Sequence, residues 1–114
     1  MRVLDVGCGA GDVSLLVSEL VGDGGSVIAV ERDEHALATA RGRAVESGVG
    51  NIEFVLGDFR EADVGNEAFD ALVGRFVPMY QGDPGQAVAS AARHLRPGGL
   101  VASQPSLAQL ALRP

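Results

Sequence analysis

The segment Asp5-Val6-Gly7-Cys8-Gly9-Ala10-Gly11 constrains this chain more than any other. It follows a short apolar run, Val3 to Val6. It precedes Asp12 to Val21, where Val13, Leu16, Val17, Leu20 and Val21 recur at helical spacing. A buried strand that passes through three closely spaced glycines straight into a helix leaves few folds open. Glycine permits the sharp turn and lets a ligand approach the backbone. The helix points its first N–H groups, unpaired within the helix, at the same space. The unit expected is the strand–loop–helix of an open α/β sheet.

The rest of the chain repeats that alternation. Gly22 ends the first helix, and Asp23-Gly24-Gly25 is a turn. Ser26 to Val30 reads as a second strand. Asp33 is placed to cap a second helix with apolar positions Ala36, Leu37, Ala40, Ala44 and Val45. Asn51 to Leu56 is a third strand, 57–67 a polar loop, and Phe69 to Val73 a fourth strand. Asp83 then Pro84 opens a third helix carrying Val88, Ala91, Ala92 and Leu95. Arg96-Pro97-Gly98-Gly99 stops it, Leu100 to Ser103 is a fifth strand, and Ser106 to Leu110 begins another helix. Strands alternating with helices imply parallel pairing and right-handed crossovers. The expectation is one domain over 1–114: a Rossmann-like α/β three-layer sandwich with a mainly parallel sheet of about five strands. Aromatics make up only 4% and Trp is absent, so Ala, Val and Leu must build the core.

Charge and cysteine content narrow the partners. A net charge of −6 repels a phosphate backbone, and the arginines are scattered, so nucleic acid is disfavoured. No apolar run approaches the roughly 18 residues of a membrane helix. Cys8 is the only cysteine, so an internal disulfide is impossible. With no leader-like start, a cytoplasmic setting is expected.

The glycine spacing discriminates between ligands. Nicotinamide and flavin fingerprints want G-x-G-x-x-G. Here glycines stand at 7, 9 and 11 and Asp12 follows, where an acid would sit beside a pyrophosphate. A nucleoside ligand without pyrophosphate suits the loop better, and a nicotinamide-binding half-domain is the weaker alternative. Glu31 closes strand two, where an acid accepts hydrogen bonds from ribose hydroxyls. Asp58 follows strand three and could accept a bond from an adenine amino group, with Phe59 against the ring. Each feature alone has a plain structural explanation as a turn, a cap or a solvated acid. Their joint occurrence at three successive strand ends favours a site.

Val3 to Gly11 resembles motif I of class I S-adenosylmethionine-dependent methyltransferases. Val27-Ile28-Ala29-Val30-Glu31-Arg32-Asp33 resembles motif II, and Phe54-Val55-Leu56-Gly57-Asp58-Phe59 resembles motif III. Phe69 to Val73 and Leu95 to Leu100 are similar to the later strand motifs. Five blocks in order cover nearly the whole chain. The resemblance implies S-adenosylmethionine as cofactor, with Asp5, Gly7, Gly9 and Gly11 as the methionine-side cradle. Glu31 would take the ribose hydroxyls, with Arg32 near the adenine. Asp58 and Phe59 would hold the adenine, and Gly74 and Arg75 would border the methyl donor and the substrate. Gly74-Arg75-Phe76-Val77-Pro78-Met79-Tyr80 lacks the Asn/Asp-Pro-Pro-aromatic of nucleobase amino-methylases, and Cys8 is misplaced for a cytosine-C5 nucleophile. A small-molecule acceptor is the expected substrate class.

No general base stands out. Tyr80 lies beyond strand four on the substrate side, but a packed loop aromatic is the commoner outcome. His94 falls on a helix surface, His35 has no evident chemistry, and Asp70 begins strand four at the end away from the crevice. No clustered acids and amides suggest a metal. Members of the family usually carry a helical segment before motif I and two further strands after strand five. Two expectations follow: the chain is a fragment of a longer enzyme truncated at both ends, or strand five is a bare edge that pairs with another chain, such as a second copy. A cofactor-binding module without catalysis is therefore the second functional expectation.

Overall fold

The computed structural model describes residues 1–74, 89 and 92–103. Five strands form one parallel sheet in the order β3-β2-β1-β4-β5. They are β1 (Arg2–Val6), β2 (Ser26–Glu31), β3 (Ile52–Leu56), β4 (Phe69–Gly74) and β5 (Leu95–Ser103). Two helices, α1 (Asp12–Val21) and α2 (Glu34–Glu46), occupy the crossovers expected of them. The order reverses at β1, which pairs with β2 on one side and β4 on the other. Among the described residues, no helix is long and apolar enough to cross a membrane.

Alternation along the buried strands sends side chains to two faces. On one face Val3, Val27, Ala71 and Val73 pack with Val17 of α1, while Ala29 and Cys8 pack with Leu37 of α2. On the other face Leu4, Val6, Ile28, Val30 and Leu72 pack against Phe59 and Val64. Those two residues belong to the segment that carries the chain from β3 across β2 and β1 to β4. The 57–67 loop expected to be polar thus supplies two core residues.

Helix termini follow local chemistry. The Asp33 carboxylate accepts from the N–H groups of His35 and Ala36, which caps α2 as expected. Gly11 precedes α1 at φ +93° and supplies no side-chain cap. Asn51 does more than begin a strand. Its Nδ2 donates to the carbonyls of Ser18 (3.3 Å), Gly22 (3.1 Å) and Gly25 (3.4 Å), and its Oδ1 accepts from Ser18 Oγ. One amide thereby ties the end of α1 and the next turn to the start of β3.

The fifth strand corrects the sequence reading. Leu95 is not helical: it pairs with Phe69 and opens β5, and Arg96-Pro97-Gly98-Gly99 lies inside the strand. Pairing shifts between Phe69 and Ala71 before resuming at Ala71 with Leu100. A Cβ on Gly99 would fall 2.9 Å from the Asp70 carbonyl oxygen, so the irregular stretch needs glycine there. Most of the expected third helix and all of 106–110 lie outside the described residues.

Asn51→Ala should lower stability by about 2–3 kcal/mol, since it removes several partly buried bonds at once. Urea denaturation of the two proteins measures this directly.

Candidate functional site

The C-terminal ends of β1, β2 and β3 meet at a shallow crevice lined by Gly7, Val30, Glu31, Arg32, Gly57, Asp58 and Phe59. Five of the ten residues expected to bind a cofactor are among them. The crevice lies on the β1 side, where the strand order reverses and open α/β sheets bind ligands. A larger open groove, about 830 Å³, runs along Ser18, Gly22, Gly48 and Asn51 at the opposite end of the strands. None of the expected site residues lines it.

The glycine loop is built by close contact with β2. The N–H groups of Gly7 and Cys8 both donate to the Val30 carbonyl, at 2.7 and 3.0 Å. Gly9 has φ +55°, and a Cβ there would meet nothing within 4 Å, so the loop faces open space at this point. Gly11 is different. A Cβ there would lie 3.0 Å from the Ala40 Cβ, and its φ of +93° strains any other residue.

Glu31 is the centre of the arrangement. It is only 8% exposed. Its Oε1 accepts from the Gly9 N–H and its Oε2 from the Asp33 N–H, each at 2.8 Å. Its carbonyl accepts from the Gly57 N–H at 2.9 Å. One residue therefore joins the loops after β1, β2 and β3. Each carboxylate oxygen accepts up to two bonds, so acceptor capacity is left for ribose hydroxyls.

Asp58 is held by Arg60. Its Oδ1 accepts from the Arg60 N–H and Nε, and its Oδ2 from Nη2 at 2.6 Å. This two-pronged bond holds the carboxyl below its usual range despite partial burial. Arg32, exposed beside the same crevice, lowers it further. Oδ2 keeps room for a second donor such as an adenine amino group.

The other expected residues fall in different layers. Asp5 is fully buried beneath the loop and accepts from Ser14 Oγ at 2.5 Å, tying β1 to the first turn of α1. Phe59 lines the crevice, but its side chain packs among Leu4, Val6 and Val30, so it forms the floor. Gly74 is buried at the end of β4, paired with Val6 of β1 and Ser103 of β5. Arg75 and Tyr80 lie outside the described residues. Asp70 sits at the far end of the sheet and accepts from the Arg2 N–H and Arg96 Nε, both at 2.7 Å. Burial, with Arg93 nearby, lowers the His94 pKa, and His35 is exposed on α2. Among the described residues, no three His, Cys, Asp or Glu side chains gather as a metal site would require.

Several partners were invisible in the linear pattern. Arg60 stands two residues after Asp58, a spacing that an acid–base pair signal could have caught. Ser14 and Arg43 carry no such signal: they reach the loop across 9 and 31 residues. Arg43 Nη1 binds Asp12 Oδ1 at 2.6 Å, so the charge at Asp12, weighed above against a pyrophosphate, is offset from α2.

The crevice gathers acceptors of the kind that ribose hydroxyls and an adenine amino group require: a carboxylate at the end of β2 and another after β3, beside Gly7 of the glycine loop. Known proteins point the same way. A family model for a methyltransferase domain matches residues 1–112. A ubiquinone/menaquinone biosynthesis C-methyltransferase from Ectopseudomonas oleovorans is 36% identical over 99 residues, 86% of this chain and 58% of the relative. Its counterpart from Azotobacter vinelandii is 35% identical over 96% of this chain and 45% of its own length. Among solved structures, an S-adenosylmethionine-dependent methyltransferase from Aquifex aeolicus superimposes with a TM-score of 0.73 at 26% identity. That match covers 85% of this chain and 52% of the other. An arsenic(III) S-adenosylmethionine methyltransferase from Chlamydomonas reinhardtii gives 0.74 at 28% identity, over 88% and 37%. The chain thus spans about half the length of the curated relatives.

Arg60→Gln should raise the Asp58 pKa toward the ordinary aspartate range. Because the folded pKa is depressed, the stability Asp58 contributes is present above that range and is lost as pH falls through the folded value. Carbon-detected NMR titration of the Asp58 carboxyl in both proteins reads the shift.

Proposed function

Because the chain belongs to the S-adenosylmethionine-dependent methyltransferase family, we propose that its crevice binds S-adenosylmethionine and serves methyl transfer to a small-molecule acceptor. One observation carries the reading: Glu31, Asp58 and the glycine loop meet at the ends of three adjacent strands. Glu31 accepts the ribose hydroxyls through the lone pairs that Gly9 and Asp33 leave. Asp58 takes the adenine amino group while Arg60 keeps the carboxylate ionised. Arg32 borders the base, and Phe59 floors the crevice from the core. Gly7, Gly9 and Gly11 shape the methionine side, with Asp5 acting from below by holding α1 to β1. Gly74, at the end of β4, borders the methyl donor and the acceptor.

When bound, the cofactor supplies a methyl group already activated by its sulfonium. The protein's share is to bind, orient and exclude water, and orientation alone can be worth up to roughly 7–11 kcal/mol. A base is needed only for an acceptor that must lose a proton. The relatives named for C-methylation in ubiquinone/menaquinone biosynthesis make a carbon acceptor among quinone precursors the first class to screen.

Calorimetric titration should show saturable binding of S-adenosylmethionine and S-adenosylhomocysteine and none of NAD. Glu31→Ala should weaken binding by about 1.5–3 kcal/mol through lost charge-assisted bonds. Binding of NAD alone would replace this reading with the nicotinamide one. Binding of the cofactor without transfer to any acceptor would favour a module that binds but does not catalyse.

We also propose that two copies associate through β5, an edge strand among the described residues, where Leu100 and Val101 are exposed. Light scattering at high protein concentration should give a dimer mass, and a strict monomer would exclude it.

A further inference from the structure

We propose that Arg43, on α2, is a positioning residue for the glycine loop; the consequence for ligand affinity rests on the cofactor reading above. Its Nη1 donates to the Ala10 carbonyl at 3.0 Å and to Asp12 Oδ1 at 2.6 Å. One guanidinium nitrogen thus grips the chain on both sides of Gly11. Gly11 is itself pressed on α2, where an added Cβ would meet Ala40 at 3.0 Å. Ala40 and Arg43 stand three residues apart and so share a helix face. Together they make α2 the back wall of the loop.

The front of the loop is held by a different element. Glu31 takes the Gly9 N–H from the end of β2. Between these two grips the loop crosses only Ala10 and Gly11, and Gly11 N–H closes a turn on the Cys8 carbonyl at 3.0 Å. Glycines at 7, 9 and 11 give this stretch wide conformational freedom, which a ligand would have to freeze. A cradle held before the ligand arrives avoids that cost. The Arg43–Asp12 pair is suited to this role and poorly suited to stabilising the fold. The Arg43 side chain is 40% exposed and that of Asp12 78%, and such pairs add little to global stability. What Arg43 fixes is the direction of the Ala10 carbonyl, hence of the peptide that leads into Gly11.

Two variants separate positioning from packing. Arg43→Met keeps the apolar stem and removes the donors, whereas Arg43→Lys restores one cationic donor. In the ligand-free protein, hydrogen exchange in a peptide covering 7–12 should rise several-fold in Arg43→Met and remain unchanged over β1, β2 and β4. The dissociation constant for S-adenosylhomocysteine should rise roughly five- to tenfold, the worth of about one hydrogen bond. Arg43→Lys should recover part of both effects. Unchanged loop exchange in Arg43→Met would overturn the proposal, as would exchange rising uniformly over the molecule. If the wild-type protein binds neither S-adenosylmethionine nor S-adenosylhomocysteine, the cofactor reading fails, and loop exchange alone decides the role of Arg43.

Discussion

The carboxylate of Glu31 is the point on which the site depends. A buried anion is costly unless hydrogen bonds replace the water it loses. Here the replacements are backbone N–H groups of Gly9 and Asp33, and the Glu31 carbonyl takes Gly57 as well. Satisfying the charge ties the loop after β1 to the loop after β2, and the backbone of the same residue adds the loop after β3. The parallel sheet places these ends side by side, and the hydrogen bonds of Glu31 set how the loops beyond them sit. An alanine here would leave the Gly9 N–H without its acceptor, so that only the Gly7 and Cys8 bonds to the Val30 carbonyl tie the loop after β1 to β2.

The two charged grips on the crevice work differently. Glu31 is buried and bonded to backbone, so its position follows from the fold. Asp58 is bonded to the half-exposed Arg60 and keeps its side chain 22% exposed. Water and salt weaken that pair. The Glu31 side of the crevice is thus fixed by buried backbone bonds, whereas the Asp58 side rests on a partly exposed ion pair.

What could be read from the chain was what is local. Short apolar runs and helical spacing locate β1 to β4, α1 and α2, and the Asp33 cap follows from one residue type at one place. Glu31 and Asp58 were legible because strand ends of a parallel sheet must lie side by side, so their positions in the chain determine their meeting. Arg43, Ser14 and Asn51 were not. Each acts across a gap of 9 or more residues, through a bond that leaves no periodicity. Leu95 was misread for a related reason. An apolar residue at helical spacing before a Pro-Gly-Gly stop looks like a helix end, but its pairing with Phe69 is decided by β4. Phe59 shows a second role that local pattern did not reveal, since the residue that lines the crevice also packs in the core.

Cys8 shows why burial matters in such a loop. A protein that holds an alkylating group must keep its own nucleophiles quiet, and the thiolate is the nucleophilic form of cysteine. Cys8 lies inside the glycine loop, 5% exposed, packed against Ala29 and Leu37. Burial raises its pKa first, and the carboxylates of Asp5 and Glu31 raise it further, to about 12. At neutral pH the thiol form is therefore favoured over the nucleophilic thiolate. Burial does most of this, and the acids that order the loop, Asp5 through Ser14 and Glu31 through Gly9, add to it.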